Sequence, residues 1–256
     1  MTRYLALITF FISFSFNVHA ELWSAFNLGI GMGRATLAGD IAREQNGTVV
    51  ELGFNIEQED YLFRLLGRTE DDNRFKGAEF ILGYGNRFFK IGTGLKGIQG
   101  SIPSTDNIIT DINGFGIIQA DKNRDTDVSV TTIPLLFTFT PYHSDNFKMN
   151  IEGYYGIYSR GSMTIPVLAL RQEAYIHTEP VRQGGAKGIS ASMTWGLGQI
   201  KKNLAVKLQY QYQEAVMNRQ QTTFLGDSLG NLGIINMPSL TLTQETLMLT
   251  FVYLMN

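Results

Sequence analysis

The chain has 256 residues, 27 of them glycine, 6 proline and none cysteine, with a formal net charge of −2. The lack of cysteine excludes a disulfide framework and a thiolate metal site. The near-neutral charge argues against a nucleic-acid partner, which would want a basic surface, and glycine without matching proline excludes a collagen-like or low-complexity chain.

The N-terminus reads as an export signal. Arg3 is followed by an apolar run from Tyr4 to Phe16, broken only by Thr9, Ser13 and Ser15, and then by the small-x-small triplet Val18, His19 and Ala20. This pattern predicts a cleaved secretory signal over 1–20 and a mature domain over 21–256. The apolar core is too short for a spanning helix of about 20 residues. No cysteine follows the cleavage site, which argues against a lipoprotein, and no later apolar run is long enough for a transmembrane helix.

The mature region divides into ten segments of period-2 alternation, at about 22–33, 48–57, 60–70, 76–86, 87–97, 127–140, 147–159, 186–199, 202–214 and 240–253. Each is close to the roughly 9–11 residues of a tilted transmembrane strand. The first segment places Leu22, Phe26, Leu28, Ile30 and Met32 on one face and Ala25, Asn27, Gly29, Gly31 and Gly33 on the other. The fourth sets Ala78, Phe80, Leu82 and Tyr84 against Glu79, Gly83 and Gly85. The eighth sets Ile189, Ala191, Met193, Trp195 and Leu197 against glycine, serine and threonine. The ninth sets Leu204, Val206, Leu208, Tyr210 and Tyr212 against Lys207, Gln209, Gln211 and Gln213. A soluble barrel would turn the bulky face inward and leave a glycine-rich surface poor in charge. A narrow membrane barrel needs an apolar outer band and a small or polar lumen, which fits better.

Connection lengths agree. With the first strand running outward from the periplasm, the periplasmic connections at about 57–60, 86–87, 141–146 and 199–202 are short. The opposite connections at about 34–47, 71–75, 98–126, 160–185 and 215–239 are mostly long. In this topology Tyr61, Tyr84, Phe89, Phe137, Phe139, Trp195, Phe251 and Tyr253 face outward near the periplasmic ends. Tyr155, Tyr210 and Tyr212 do so near the outer ends, as aromatic girdles require.

The last segment carries Leu247, Leu249, Phe251 and Tyr253 on one face, so an aromatic residue closes the row just before Leu254, Met255 and Asn256. Together with the export signal, this resembles the Gram-negative outer-membrane β-barrels, although that class usually stops on the aromatic. The resemblance implies an outer-membrane location, contact with outer-membrane lipid and lipopolysaccharide, and recognition of the last strand by the barrel-insertion machinery. It names no ligand.

Lumen-facing positions carry both signs of charge: Glu51, Glu79 and Glu152 against Arg64, Arg68, Lys90, Lys96, Lys148 and Lys207. Charge in a confined interior is costly unless paired, so these residues are expected to form a neutralising network that fills the lumen. The competing reading is a selective pore. Glu51 and the two arginines lie on adjacent strands, within pairing reach.

Other motifs weigh less. His143, Ser144 and Asp145 are consecutive in a short turn, where they cannot align as nucleophile, base and orienter. His177 with Glu179 in an outer loop matches no motif of the outer-membrane proteases or lipid A deacylases, so no catalytic residue is assigned. Asp121, Asn123, Asp125 and Asp127 alternate as oxygen ligands, but Lys122 and Arg124 oppose a cation and the EF-hand glycine and glutamate are missing. No metal or cofactor is implied. The outer connections are unusually apolar, with Ile117 and Ile118 in one, Val167 and Leu168 in another, and Phe224, Leu225, Ile234 and Ile235 in the last. These residues either pack over the rim or form a hydrophobic mouth for a small apolar ligand.

The sequence therefore predicts an all-β, ten-stranded antiparallel up-and-down barrel in the outer membrane. The leading function is non-enzymatic, a structural or surface-interaction role with a plugged polar lumen. A narrow channel for small, including hydrophobic, solutes and an outer-membrane hydrolase are the alternatives.

Overall fold

The computed structural model describes residues 23–38, 45–58, 60–70, 75–104, 108–112, 116–144, 146–169, 172–178, 185–198, 203–217, 221–226, 230–236 and 240–255. The export signal expected over 1–20 lies outside them. In chain order the strands are β1 (Trp23–Ala38), β2 (Gln45–Glu57), β3 (Tyr61–Glu70), β4 (Phe75–Gly85), β5 (Phe89–Pro103), β6 (Ile108–Ile112), β7 (Gly116–Ala120), β8 (Asp125–His143), β9 (Phe147–Ala169), β10 (Gln172–Thr178), β11 (Ala186–Gly196), β12 (Leu204–Met217), β13 (Gln221–Gly226), β14 (Gly230–Asn236) and β15 (Leu240–Met255).

Alternation alone places the ten ring strands. β1 pairs with β2 and with β15, and antiparallel pairing continues through β3, β4, β5, β8, β9, β11 and β12 to close a 10-strand barrel. Closure leaves no edge along the wall, so every backbone group there can bond to a neighbouring strand. Short turns join the ring strands at the periplasmic end. Asn86 Oδ1 accepts bonds from the Phe88 and Phe89 amides, each at 2.9 Å. Ser144 Oγ accepts one from the Phe147 amide at 3.2 Å. These are the side-chain-to-backbone bonds for which Asn and Ser are favoured in turns. The turn after β8 is tighter than 141–146, because β8 continues through Pro141 to His143.

The outer ends run further than the sequence suggests. β5 reaches Pro103 and β9 reaches Ala169. At about 3.3 Å per residue and a tilt near 40°, the 23 residues of β9 climb roughly 58 Å, about twice the hydrocarbon thickness. Half of this strand therefore stands above the membrane.

The polarity of the wall reverses at that level. Along the lower part of β8, Phe139, Phe137 and Ile133 are exposed outward while Thr140, Thr138 and Thr132 are buried inside. Above Ile133 the order inverts. Thr131, Ser129 and Asp127 face outward, and Val130 and Val128 are buried inside. β9 repeats the change, with Lys148 and Glu152 inside its lower part and Met163, Ile165 and Val167 inside its upper part. The lower storey is thus apolar outside and polar inside, as lipid demands. Along β8 and β9 the upper storey is polar outside and mainly apolar inside, as water demands, with the buried Ser104 and Thr126 hydroxyls bonded to each other at 2.8 Å. Phe75, Ile102 and Leu242 join its core, each at 2% exposure or less. Full burial of such side chains stabilises by about 1.5–3 kcal/mol each.

A bulge marks the boundary. The β8–β9 register slips between Ile133 and Pro134, so Ile133 faces Tyr158 while Pro134 faces Gly156. Proline has no amide to give the ladder, and one extra residue on the partner absorbs the break. Ile157 and Tyr158 are consequently both exposed.

Three outer connections expected to be loops contain strands. β6 and β7 form a hairpin whose second strand meets β9 at Gln119 and Ala120. The upper end of β9 pairs with β8 on one edge and β10 on the other, and β10 leads to the β13–β14 hairpin. These strands are short, and their partners are one another and β9, so local alternation did not reveal them.

Candidate functional site

The inward face of the lower storey is lined by charge. Arg64 on β3 reaches across to β9, where both of its terminal nitrogens bond the Glu152 carboxylate, Nη1 at 2.8 Å. Nη1 also bonds Glu79 on β4 at 3.2 Å, and Glu79 takes a second pair from Lys96 on β5 at 3.1 Å. One storey of side chains outward, Arg68 pairs with Glu51 at 2.6 Å and bonds Gln211 Oε1 at 2.8 Å. Nearer the periplasm, Glu57 pairs with Lys148 at 2.5 Å and Lys90 at 3.3 Å. Three groups of ion pairs, drawn from β2, β3, β4, β5 and β9, therefore stack along the lumen.

These pairs revise the expected partners. Glu51 faces Arg68 across the β2–β3 ladder, but Arg64 turns away from it to Glu79 and Glu152. Glu57 did not figure among the candidate residues, although it shares the parity of Glu51 on the same strand. That parity was the available signal. Lys207 lies inside as expected, facing a space of about 70 Å³ with Glu57, Arg64, Lys148, Glu152 and Gln209 around it.

Apolar packing locks the network. Leu62, Ile81 and Leu136 form a buried cluster against Tyr154, and the Lys96 ammonium lies 4.6 Å from the centre of the Tyr154 ring. A Cβ at Gly188 would stand 2.3 Å from that ring. Glycine is therefore required on β11 to seat Tyr154. Gly29 does the same for Thr250, whose hydroxyl would be 2.8 Å from a Cβ there.

The residues expected in an aromatic girdle, Tyr61, Tyr84, Phe89, Trp195, Phe251 and Tyr253, are all exposed on the outside of the wall. Tyr61 and Tyr84 meet edge to face at 5.4 Å, and Trp195 packs against Phe147 at 5.6 Å. Tyr155 and Tyr210 are exposed toward the outer boundary.

Of the residues expected at a hydrophobic mouth, Val167 is buried inside the upper storey at 1% exposure. Ile117 and Ile118 belong to β7, Leu168 to β9, Phe224 and Leu225 to β13, and Ile234 and Ile235 to β14. Their side chains lie outside the described residues. His143 ends β8, and its carbonyl accepts a bond from Arg87 at 3.2 Å. The Asp121 region is a turn in which Asp121 Oδ1 accepts the Asn123 amide at 3.0 Å.

No protein family profile and no characterised protein sequence matches the chain. Among solved structures, the outer-membrane protease OmpT from Escherichia coli matches over 92% of this chain and 96% of its own, with a TM-score of 0.57 and 10% identity. The CymD monoaromatic hydrocarbon channel covers 91% and 88% at a TM-score of 0.43 and 9% identity. Neisserial surface protein A covers 91% and 97% at 0.42 and 7%. At such identity the likeness to OmpT establishes the fold alone. The closed ring, the apolar belt and that likeness together make the chain an outer-membrane β-barrel protein.

Proposed function

We propose that this barrel is non-enzymatic and closed, a membrane-anchored platform whose upper storey serves a structural or surface-interaction role. The observation that carries this reading is the Arg64–Glu152 pair, which ties strands on opposite sides of the lumen. The spaces left beside it measure about 30 and 70 Å³. They hold at most about three and about seven waters respectively, since one water needs roughly 10–15 Å³ by this measure. Above the charges, the apolar core of the upper storey stacks a second obstruction on the first. Barrels of about eight strands are just wide enough to be filled by side chains, and ten strands lie near that limit.

A narrow channel is the second reading, favoured by the polar space beside Lys207 and Gln209. Planar-bilayer recording separates the two. A closed platform gives at most small, flickering currents, and steady large single-channel currents from the unmodified protein would establish a pore. Hydrolysis of lipid A or peptides by the purified barrel, lost in His177→Ala, would overturn the non-enzymatic reading.

A further inference from the structure

Rows of cross-strand neighbours circle the outside of β4, β5, β8 and β9. The uppermost apolar row has Phe80 beside Leu95 and Ile133 beside Tyr158. The next row is Ala78, Gly97, Thr131 and Arg160. Above it come Lys76, Gln99, Ser129 and Ser162, and then Ser101, Asp127 and Thr164. The small side chains of the last two rows, flanked by long Lys76 and Gln99, leave a groove of about 320 Å³. That is several times any lumen space described above and falls in the roughly 300–1,000 Å³ range of small-molecule sites.

The lining selects the ligand chemistry. Ser101, Ser129, Ser162 and Thr164 bring hydroxyls and Gln99 an amide, groups that both donate and accept as sugar hydroxyls do. Asp127 accepts from Ser101 Oγ at 2.6 Å and retains acceptor capacity. Lys76 closes one end with an ammonium, which suits a phosphate. An apolar ligand would match little of this polar lining.

Height selects the source. Successive rows are about 6.6 Å apart along a strand, or roughly 5 Å in height on a tilted wall. The groove thus begins about 10 Å above the last apolar row. The polar layer of a simple bilayer is only about 5–8 Å deep per leaflet, so a plain phospholipid headgroup does not reach it and a larger sugar headgroup does. We propose that this groove binds the phosphorylated sugar headgroup of a glycolipid in the outer leaflet around the barrel. The site lies outside the wall, so it is independent of whether the lumen conducts.

Native mass spectrometry of the detergent-solubilised barrel, titrated with lipopolysaccharide, tests the assignment. Ser129→Leu with Ser162→Leu fills the groove, and Lys76→Glu reverses its charge. Thr243→Leu, on the outside of remote β15, is the control. The double variant and Lys76→Glu should each bind about tenfold more weakly, with heat-modifiable gel migration unchanged, while the control binds as the parent does. Lys76→Glu should lose less against dephosphorylated lipopolysaccharide. Parental binding by the folded double variant and by Lys76→Glu overturns the proposal. Competition by free glucosamine phosphate equal to that of the lipid-borne headgroup also overturns it, because the source would then be a soluble sugar.

Discussion

Arg64 on β3 and Glu152 on β9 are 88 residues apart, yet they meet in a two-pronged ion pair across the lumen. Between their strands in the ring lie β4, β5 and β8. The pair is a strut across the barrel, and Glu79 braces its arginine end. Both side chains are largely withdrawn from water, so removal of one leaves a desolvated charge on the other.

Arg64→Ala should therefore destabilise the barrel by about 3–5 kcal/mol, the range for breaking a buried pair. Urea titration of the protein refolded in lipid vesicles measures this. Arg64→Ala combined with Glu152→Ala should recover part of the loss, since no orphan carboxylate remains opposite. Additive losses in the double variant would show that the two residues are not coupled.

The outward face of the lower storey predicts a depth-dependent cost. Leu208 is exposed on the wall in the middle of the apolar belt, and Leu208→Arg should cost roughly 2–4 kcal/mol. Ser129→Arg, on the same side of the wall but above the boundary, should cost less than about 0.5 kcal/mol. Equal costs at the two positions in the same titration would misplace the membrane.

The chain contains no cysteine, so single thiols report cleanly on that boundary. On intact cells, a membrane-impermeant maleimide should label Asp125→Cys and Arg160→Cys, both exposed and outside the groove lining. It should leave Leu249→Cys unlabelled. Labelling of all three would show that the apolar belt is not embedded.

Ile165 is fully buried in the upper storey. Ile165→Asp places an unpaired charge in that apolar core. Protease added to intact cells should then trim the outer region quickly. The lower ring, which has its own belt and ion pairs, should still show heat-modifiable migration. Loss of the whole barrel would mean that the storeys fold as one unit.

Gly188→Val should push Tyr154 from its seat and cost about 1–3 kcal/mol, as overpacking does. Gly188→Val with Tyr154→Leu should regain only part of the stability, because the ring is gone but the Tyr212 carbonyl, 2.8 Å from a Cβ there, remains. No recovery in the double variant would place the whole strain against the Tyr212 carbonyl on β12 instead.

The chain by itself determined the ten ring strands, the outward set of Phe26, Leu28, Leu208 and Phe251, and the inward set of charges. Each follows from period-2 geometry, which is local: the identity of a residue and the parity of its position decide its face. Only the tertiary structure decided which charges meet. Glu51 found the arginine opposite it on the neighbouring strand, but Arg64 found Glu152 because closing the ring brings β3 and β9 face to face, and no local pattern encodes closure. The reversal at Ile133 was hidden for a related reason. Alternation continues unbroken along β8 from Phe139 to Asp127, and it reports that two faces differ. Whether the apolar face turns outward or inward depends on the solvent at that height, which is lipid below and water above.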